Sequence, residues 1–183
     1  MFLVGALVLG VILGYLRGGR IAHLASLRMR LLWLVPIALL IQLLIFPLFA
    51  DRPLLPYATT PLHLLSYALV FLFLVLNVRV LPLLAVGLGA LLNLLVISVN
   101  GGYMPSSATA LSRAGAAGVA SALQAQGVYG NVKLMGHETK LNALGDFLYL
   151  PQWIPQATAF SVGDVVTALG VAWLVYWGMK RRG

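Results

Sequence analysis

The chain is organised around two stretches, LNALGDFLYL (residues 141–150) and FSVGDVVTALG (residues 160–170). They contain Asp146 and Asp164, two of only four acidic residues in the protein. Each aspartate adjoins an apolar run, where a charged carboxylate is costly unless it is paired or hydrogen-bonded. Ionisable residues in such surroundings are candidate functional residues. The two aspartates are therefore the first candidates for a functional site.

The composition predicts a membrane protein. Of 183 residues, 61% are hydrophobic and 9% are charged, whereas soluble domains contain about 25% charged residues. Apolar runs of about 20 residues are long enough to cross a bilayer, and they do so as helices because lipid offers no hydrogen bonds to the backbone. We expect an all-α membrane protein that forms a single transmembrane domain over residues 1–183.

Five apolar runs predict five transmembrane helices, at about residues 2–16, 31–50, 62–78, 81–99 and 161–179. The segment 100–160, between the fourth and fifth runs, is too polar to span. Within it, Ser106 and Ser107 are candidate N-caps for one helix that extends to about Gln126. Residues 141–150 are too few to cross a bilayer and suit an interfacial element. We expect an external loop region with short interfacial helices.

The basic residues predict the orientation. One side of the five-helix arrangement receives eight of them and the other side receives four on longer loops. Because cytoplasmic loops are enriched in Lys and Arg, the C-terminus is expected in the cytoplasm of a plasma or inner membrane, with the N-terminus and the loop outside. The net charge of +8 then reflects contact with anionic lipid. We expect lipid and other membrane subunits as partners, and no nucleic acid.

The residue types argue against metal or cofactor chemistry. The chain has no cysteine, so it has no thiolate ligand or nucleophile. His23, His63 and His137 lack the spacing of metal ligands. We expect no metal and no cofactor.

Asp146 and Asp164 have two alternative interpretations. If they share a site, they cannot both ionise, and the pair can act as general acid and general base on a water molecule. The linker between them is long enough to turn back and bring them together. Alternatively, Ser161 and Asp164 form a capping box at the start of the last helix, where the helix dipole favours a carboxylate. Both interpretations stay open at the level of sequence.

The turn after the fourth apolar run contributes further candidates. Asn100, Gly101 and Gly102 open the sequence NGGYMP, in which the glycines and the proline predict a tight turn. On the external side, this turn could support the aspartate pair, although an Asn-Gly-Gly sequence is also ordinary turn chemistry. Asn142 and Ser161 are the other candidates for binding or support.

Two resemblances follow from these motifs. NGGYMP, the GD of the late loop and FSVGDVV together resemble an uncharacterised family of bacterial polytopic membrane proteins, which implies no activity. The stretches Asn142–Asp146 and Phe160–Asp164 are similar to the two aspartate motifs of lipoprotein signal peptidases, although Phe147 and Ser161 replace that family's Arg and Asn. The second resemblance implies that Asp146 and Asp164 are a catalytic pair supported by Asn142.

Three functions are compatible with these observations. The first is a membrane protein that binds a lipid, a peptide or a small ligand around Asp146 and Asp164, or that assembles there with other subunits. The second is an intramembrane aspartic hydrolase of lipoprotein-signal-peptidase type. The third is the substrate-binding subunit of a transporter.

Overall fold

The computed structural model describes residues 2–45, 58–154 and 157–181. The α-helices are α1 (Phe2–Leu16), α2 (Leu34–Ile45), α3 (Thr59–Leu76), α4 (Leu81–Val99), α5 (Ala108–Arg113), α6 (Ala117–Gln126) and α7 (Val162–Lys180). The strands are β1 (Met104–Ser106), β2 (Val128–Tyr129), β3 (Val132–Leu134), β4 (Leu148–Tyr149) and β5 (Ala159–Phe160). Short 3-10 helices cover Ile21–Ser26 and Asn142–Leu144.

Three of these helices, α3, α4 and α7, are long and apolar enough to cross a membrane. Their outer faces carry many exposed large apolar side chains, as surfaces in contact with lipid do. The first predicted span coincides with α1, which has 15 residues, and the second is represented by the 12 residues of α2. The part of the second span at 46–50 lies outside the described residues. By length, therefore, the described helices provide three membrane-spanning candidates rather than five.

Helix α7 is the centre of the bundle, and small residues bring it close to two partners. A Cβ added at Gly10 of α1 would lie 2.6 Å from the carbonyl oxygen of Ala172. A Cβ at Gly170 of α7 would lie 2.6 Å from the amide nitrogen of Val86 in α4. Gly10 and Gly14, four residues apart on α1, thus both face α7, since Gly14 is against Met179. Backbones approach this closely only where side chains are absent.

The contact pairs also fix the relative directions of the helices. Gly10 and Gly14 of α1 face Ala172 and Met179, so α1 and α7 run parallel. Helix α2 is joined to α3 by a hydrogen bond from Gln42 Nε2 to Ser66 Oγ of 3.1 Å. The polar side chain of Gln42 thus has its hydrogen-bond partner on the neighbouring helix. Arg30, just before α2, bonds Asn77 at the end of α3, so the two helices are antiparallel.

The segment 17–30 between α1 and α2, which contains four arginines and is called the basic connector, is held at one end of the bundle. The amide of Arg20 donates to the carbonyl of Met179, near the end of α7, at 3.0 Å. Asn77 follows α3, and its side chain accepts from the amide of Arg30 and donates to the Arg30 carbonyl, both at 2.8 Å. These basic residues therefore lie at the end where α3 and α7 finish, and the segment 100–160 lies at the opposite end.

The segment 100–160 differs from its prediction in two ways. The single helix expected to extend to Gln126 is divided into α5 and α6, because Gly115 adopts a φ of +83° that an α-helix does not contain. The fold is also not purely helical. β3 pairs with β1 in parallel and with β2 antiparallel, and β4 pairs antiparallel with β5. Strands of two or three residues carry no periodic signal that a sequence could display.

Substitution of Gly10 by Ala tests the close contact between α1 and α7. The new methyl group would collide with the Ala172 carbonyl, so we expect destabilisation of roughly 1–3 kcal/mol, the usual cost of overpacking. Gly5→Ala on the same helix is the matched control, because a Cβ at Gly5 meets nothing within 4 Å among the described residues. That variant should be slightly stabilised, since alanine favours helix over glycine. Equal effects of the two substitutions in detergent unfolding would contradict the contact.

Candidate functional site

Asp164 caps α7, as the sequence predicts. The side chain of Ser161 accepts from the amide of Asp164 at 2.9 Å, and the Asp164 carboxylate accepts from the amide of Ser161 at 3.0 Å. This is a reciprocal capping box. The predicted cap is therefore confirmed, and its carboxylate also lies at the favourable end of the helix dipole.

Helix α4 completes the surroundings of Asp164. The side-chain amide of Asn93 donates to Asp164 Oδ1 at 2.8 Å, and its oxygen accepts from the Ser161 hydroxyl at 2.8 Å. Gly163 makes this possible, because a Cβ there would overlap the Asn93 carboxamide. Both oxygens of Asp164 thus accept hydrogen bonds, as an ionised carboxylate does. Asn93 thus joins α4 to the start of α7.

The backbone of Asp146 is fixed at the free edge of β1. Its amide donates to the Pro105 carbonyl at 2.8 Å, and its carbonyl accepts from the amide of Ser107 at 2.9 Å. These bonds make a parallel bridge between Asp146 and Ser106. Gly145 permits it, because a Cβ there would lie 2.6 Å from the Pro105 carbonyl oxygen. The glycine of each GD pair therefore clears space for the structure that holds the following aspartate.

The side chain of Asp146 is held quite differently from that of Asp164. Its Oδ1 atom is buried and has no hydrogen-bond partner within the described part of the chain. Burial, with the nearby charge of Asp164, raises the pKa of Asp146 to about 8. Its carboxyl group is consequently protonated at neutral pH. The two aspartates thus interact electrostatically while occupying opposite hydrogen-bonding environments.

The pairing of β4 with β5 explains how the two aspartates come to the same region. Leu148 is opposite Phe160 in this antiparallel pair, so the chain after Asp146 runs back beside the residues that precede Ser161. Across residues 2–45, 58–154 and 157–181, no hydrogen bond joins the two carboxylates. The geometry is that of neighbouring acids, each with its own supports.

Helix α3 contributes residues that the sequence did not single out for this site. Tyr67 interacts electrostatically with both Asp146 and Asp164. It also packs against a cluster of Val96, Ile97 and Met104 at the end of α4 and in β1. The ring of His63 lies one turn earlier, 5.4 Å from the Tyr67 ring between centroids. A polar face on α3, with residues four positions apart, was the sequence signal for this contribution.

The turn candidates have structural roles. The side chain of Asn100 accepts from the amide of Lys140 at 2.8 Å and donates to the Lys140 carbonyl at 2.9 Å. It therefore holds the late loop against the end of α4. Gly101 and Gly102 adopt φ values of +71° and +96°, which favour glycine, and confirm the tight turn. A Cβ at Gly102 would also lie 2.9 Å from Thr60 of α3.

Asn142 supports a turn of the loop. Its side chain donates to the Gly136 carbonyl at 2.9 Å and accepts from the hydroxyl of Thr139 at 2.7 Å. The structure thus groups Asn142 with the turn at residues 136–139. Its predicted supporting role toward Asp146 is at most indirect, through the position of the 3-10 helix in which it stands.

A metal site requires several ligand side chains close together. Among the residues that the structure describes, there is no group of three or more His, Cys, Asp or Glu residues that could hold a metal ion. Asp146 and Asp164 are accompanied instead by Asn93, Ser161, Ser106 and Tyr67. This set offers hydrogen bonds and one negative charge.

An apolar cleft of about 570 Å³ lies between α1 and α7. Its lining includes Val165, which directly follows Asp164, and Leu150, four residues after Asp146. The same two segments therefore carry the aspartates and one part of the cleft wall. The remaining lining residues are apolar positions of α1 and α7 together with Ile154.

Fold and site together define a class of protein: a helical bundle with membrane-spanning candidates and a buried polar site where the bundle meets its loop region. The chain belongs to the Family of unknown function (DUF5317), whose family model matches residues 26–176. This confirms the predicted membership of an uncharacterised family. Comparison with curated proteins and with solved structures finds no match. The resemblance to lipoprotein signal peptidases stays a prediction.

The raised pKa of Asp146 predicts a pH-dependent stability. The folded pKa of about 8 exceeds the ordinary value of 3.8, so the folded state binds the proton more tightly. The stabilisation is complete below about pH 4 and is lost as the pH rises towards 8. We expect the melting temperature to fall between pH 5 and pH 9, and Asp146→Asn to remove most of this slope. Glu138→Gln, at an exposed loop position, should keep it; the same slope in all three proteins would contradict the assignment.

Proposed function

We propose that this protein is a multi-pass membrane protein with five spans, its C-terminus in the cytoplasm and the segment 100–160 on the outer face. The parallel directions of α1 and α7 support this topology, because an odd number of crossings places the first and last helices parallel. Segregation of the basic connector from the loop end supports the orientation. The shorter α1, about 22 Å at 1.5 Å per residue, is accommodated by local thinning of the bilayer.

At the outer face, the site around Asp146 and Asp164 binds a ligand that is a lipid, a peptide or a small molecule. The observation that carries this proposal is the buried Oδ1 of Asp146, which lacks a partner among the described residues. Such a group is costly, by about 1–3 kcal/mol, so native proteins keep it mainly where it has a use. Asp164, with both oxygens bonded, supplies the fixed neighbour, and Asp146 supplies the group that contacts the ligand.

A thermal-shift experiment on the full chain in detergent tests ligand binding. The probes are phosphatidylethanolamine, phosphatidylglycerol, cardiolipin and trilysine, each titrated separately. At least one probe should raise the melting temperature of the wild-type protein. The Asp146→Asn variant should need at least about tenfold more of that probe for the same shift. The exposed variant Glu138→Gln is the control and should respond like the wild type. Lack of a response to every probe, or equal responses in Asp146→Asn and wild type, would overturn the proposal.

A second candidate is an aspartic hydrolase, and one observation favours it. A partly buried Asp146 that holds its proton at neutral pH, beside an Asp164 that accepts hydrogen bonds on both oxygens, resembles the acid and base of an aspartic dyad. In that reaction Asp164 would accept a proton from an attacking water and Asp146 would donate one to the leaving amine. The similarity of the two aspartate motifs to those of lipoprotein signal peptidases gives the same substrate class, a peptide bond close to the membrane.

The hydrolase has its own test. Purified protein in vesicles would be incubated with a fluorogenic lipid-anchored peptide, and cleavage would be followed by mass spectrometry. Asp146→Asn and Asp164→Asn should each reduce turnover at least 100-fold, as loss of either half of an acid–base pair does. Glu138→Gln should keep full turnover. Cleavage that persists in both aspartate variants would exclude the pair as the catalytic groups.

A further inference from the structure

Besides Asp146, Ser106 has a buried polar side-chain atom that makes no hydrogen bond within the described residues. It is 1% exposed, and its Oγ atom, like Asp146 Oδ1, finds no hydrogen-bond partner in the described ranges. The backbone of Ser106 is held in the sheet, since it pairs with Leu134 of β3 and its carbonyl accepts from the amide of Met135 at 3.0 Å. The unused group is therefore the side chain, and it belongs to a residue whose position is firmly set.

The parallel bridge places the two unused groups side by side. Ser106 and Asp146 are direct partners in this bridge, and paired residues of neighbouring strands project to the same face of a sheet. Two adjacent strand segments thus present one hydroxyl and one carboxyl group to the same space. Asp146 as a residue is only partly buried, so part of it reaches the surface beside the two buried oxygen atoms.

We propose that Ser106 and Asp146 together bind a primary ammonium group, and that the ligand is a phospholipid with a primary-amine headgroup. This inference rests on the proposed function and names its ligand. An ammonium group has three N–H donors and one positive charge. Ser106 Oγ and the Asp146 carboxylate supply acceptors for those donors, and the two aspartates supply the opposite charge.

The charge distribution favours a cation at this place. The protein carries a net charge of +8 and has only four acidic residues, two of which meet here. The negative charge of Asp164 disfavours a second negative charge on Asp146. A bound positive charge would reduce this repulsion. In the absence of a ligand the proton fulfils this role, and the bound ammonium group replaces it.

Replacement of a proton makes binding depend on pH. The pKa of Asp146 is raised to about 8. The affinity for the ammonium group should therefore rise about tenfold for each unit by which the pH increases up to 8, and it should stay constant above that pH. The titratable groups that interact with Asp146 are Asp164 on α7 and Tyr67 on α3. Neither carries a positive charge that would compete with the ligand.

The apolar cleft indicates a lipid rather than a soluble amine. Leu150 and Val165, which follow the two aspartates in the chain, line the cleft between α1 and α7. An acyl chain in this cleft and a headgroup at Ser106 and Asp146 would be held by the same two segments. Trp153, 78% exposed in the linker between those segments, is the type of residue that lies at the level of lipid headgroups.

The experiment compares two lipids that differ only in the methyl groups on nitrogen. Native mass spectrometry and thermal shift would be used on the full chain with phosphatidylethanolamine, which has N–H donors, and phosphatidylcholine, which has none. We expect phosphatidylethanolamine to bind at least tenfold more tightly, and Ser106→Ala to remove most of this preference. Ser121→Ala, at an exposed position on α6, should preserve it.

The outcomes separate this inference from the proposed function. If phosphatidylglycerol or cardiolipin binds in a manner that requires Asp146 while phosphatidylethanolamine shows no preference, the site binds a ligand and the ammonium inference is wrong. If free ethanolamine or sodium chloride raised the melting temperature as much as phosphatidylethanolamine does, the inference that the ligand is a lipid would be wrong. An unchanged preference in both Ser106→Ala and Asp146→Asn would overturn the site itself. If none of the probes binds in an Asp146-dependent way, the proposed function fails together with this inference.

Discussion

The structure depends on the hydrogen bonds that join Asn93, Ser161 and Asp164 where α4 meets the start of α7. Two of these residues cap a helix, and the third reaches them from the neighbouring helix. In a low-dielectric environment such bonds are strong when complete and costly when one partner is missing. The contact therefore sets the beginning of α7, and α7 in turn positions α1 along one side and β5 before it. A single capping site thus organises much of the bundle.

Glycine is the means by which polar and apolar contacts coexist on these helices. Gly10 and Gly170 allow backbones to pack closely, whereas Gly163 admits the Asn93 carboxamide and Gly145 admits the backbone of β1. The two GD pairs are thus alike in physical terms, since in both the glycine removes a Cβ that would block a hydrogen-bonding partner. The result differs because one partner is a side chain that bonds the Asp164 carboxylate, and the other is a backbone that leaves Oδ1 of Asp146 without a partner among the described residues.

The sequence predicted some parts of this structure well, for reasons that are local. Helix α4 occupies residues 81–99 as predicted, and the Ser161 cap was evident because both reciprocal groups lie within four residues. The strands in the segment 100–160 were not predictable, since β1 and β3 are far apart in the chain and their pairing is tertiary. The same is true of the site. Asp146 stood out as an acid without a local partner, but Ser106 was only a candidate cap until its bridge to Asp146 was known.

The contrast between the two aspartates is the strongest functional argument. A structural carboxylate is expected to be bonded, and Asp164 is bonded on both oxygens. If Asp146 served only the fold, asparagine or serine at this position would avoid the cost of a buried acid, because its backbone alone makes the bridge to β1. The carboxyl group at this position, beside a hydroxyl group that also lacks a partner among the described residues, therefore supports the proposed role in ligand binding. The proposed binding of a ligand from the membrane would give both groups partners and would account for their position where the polar loop meets the apolar helices.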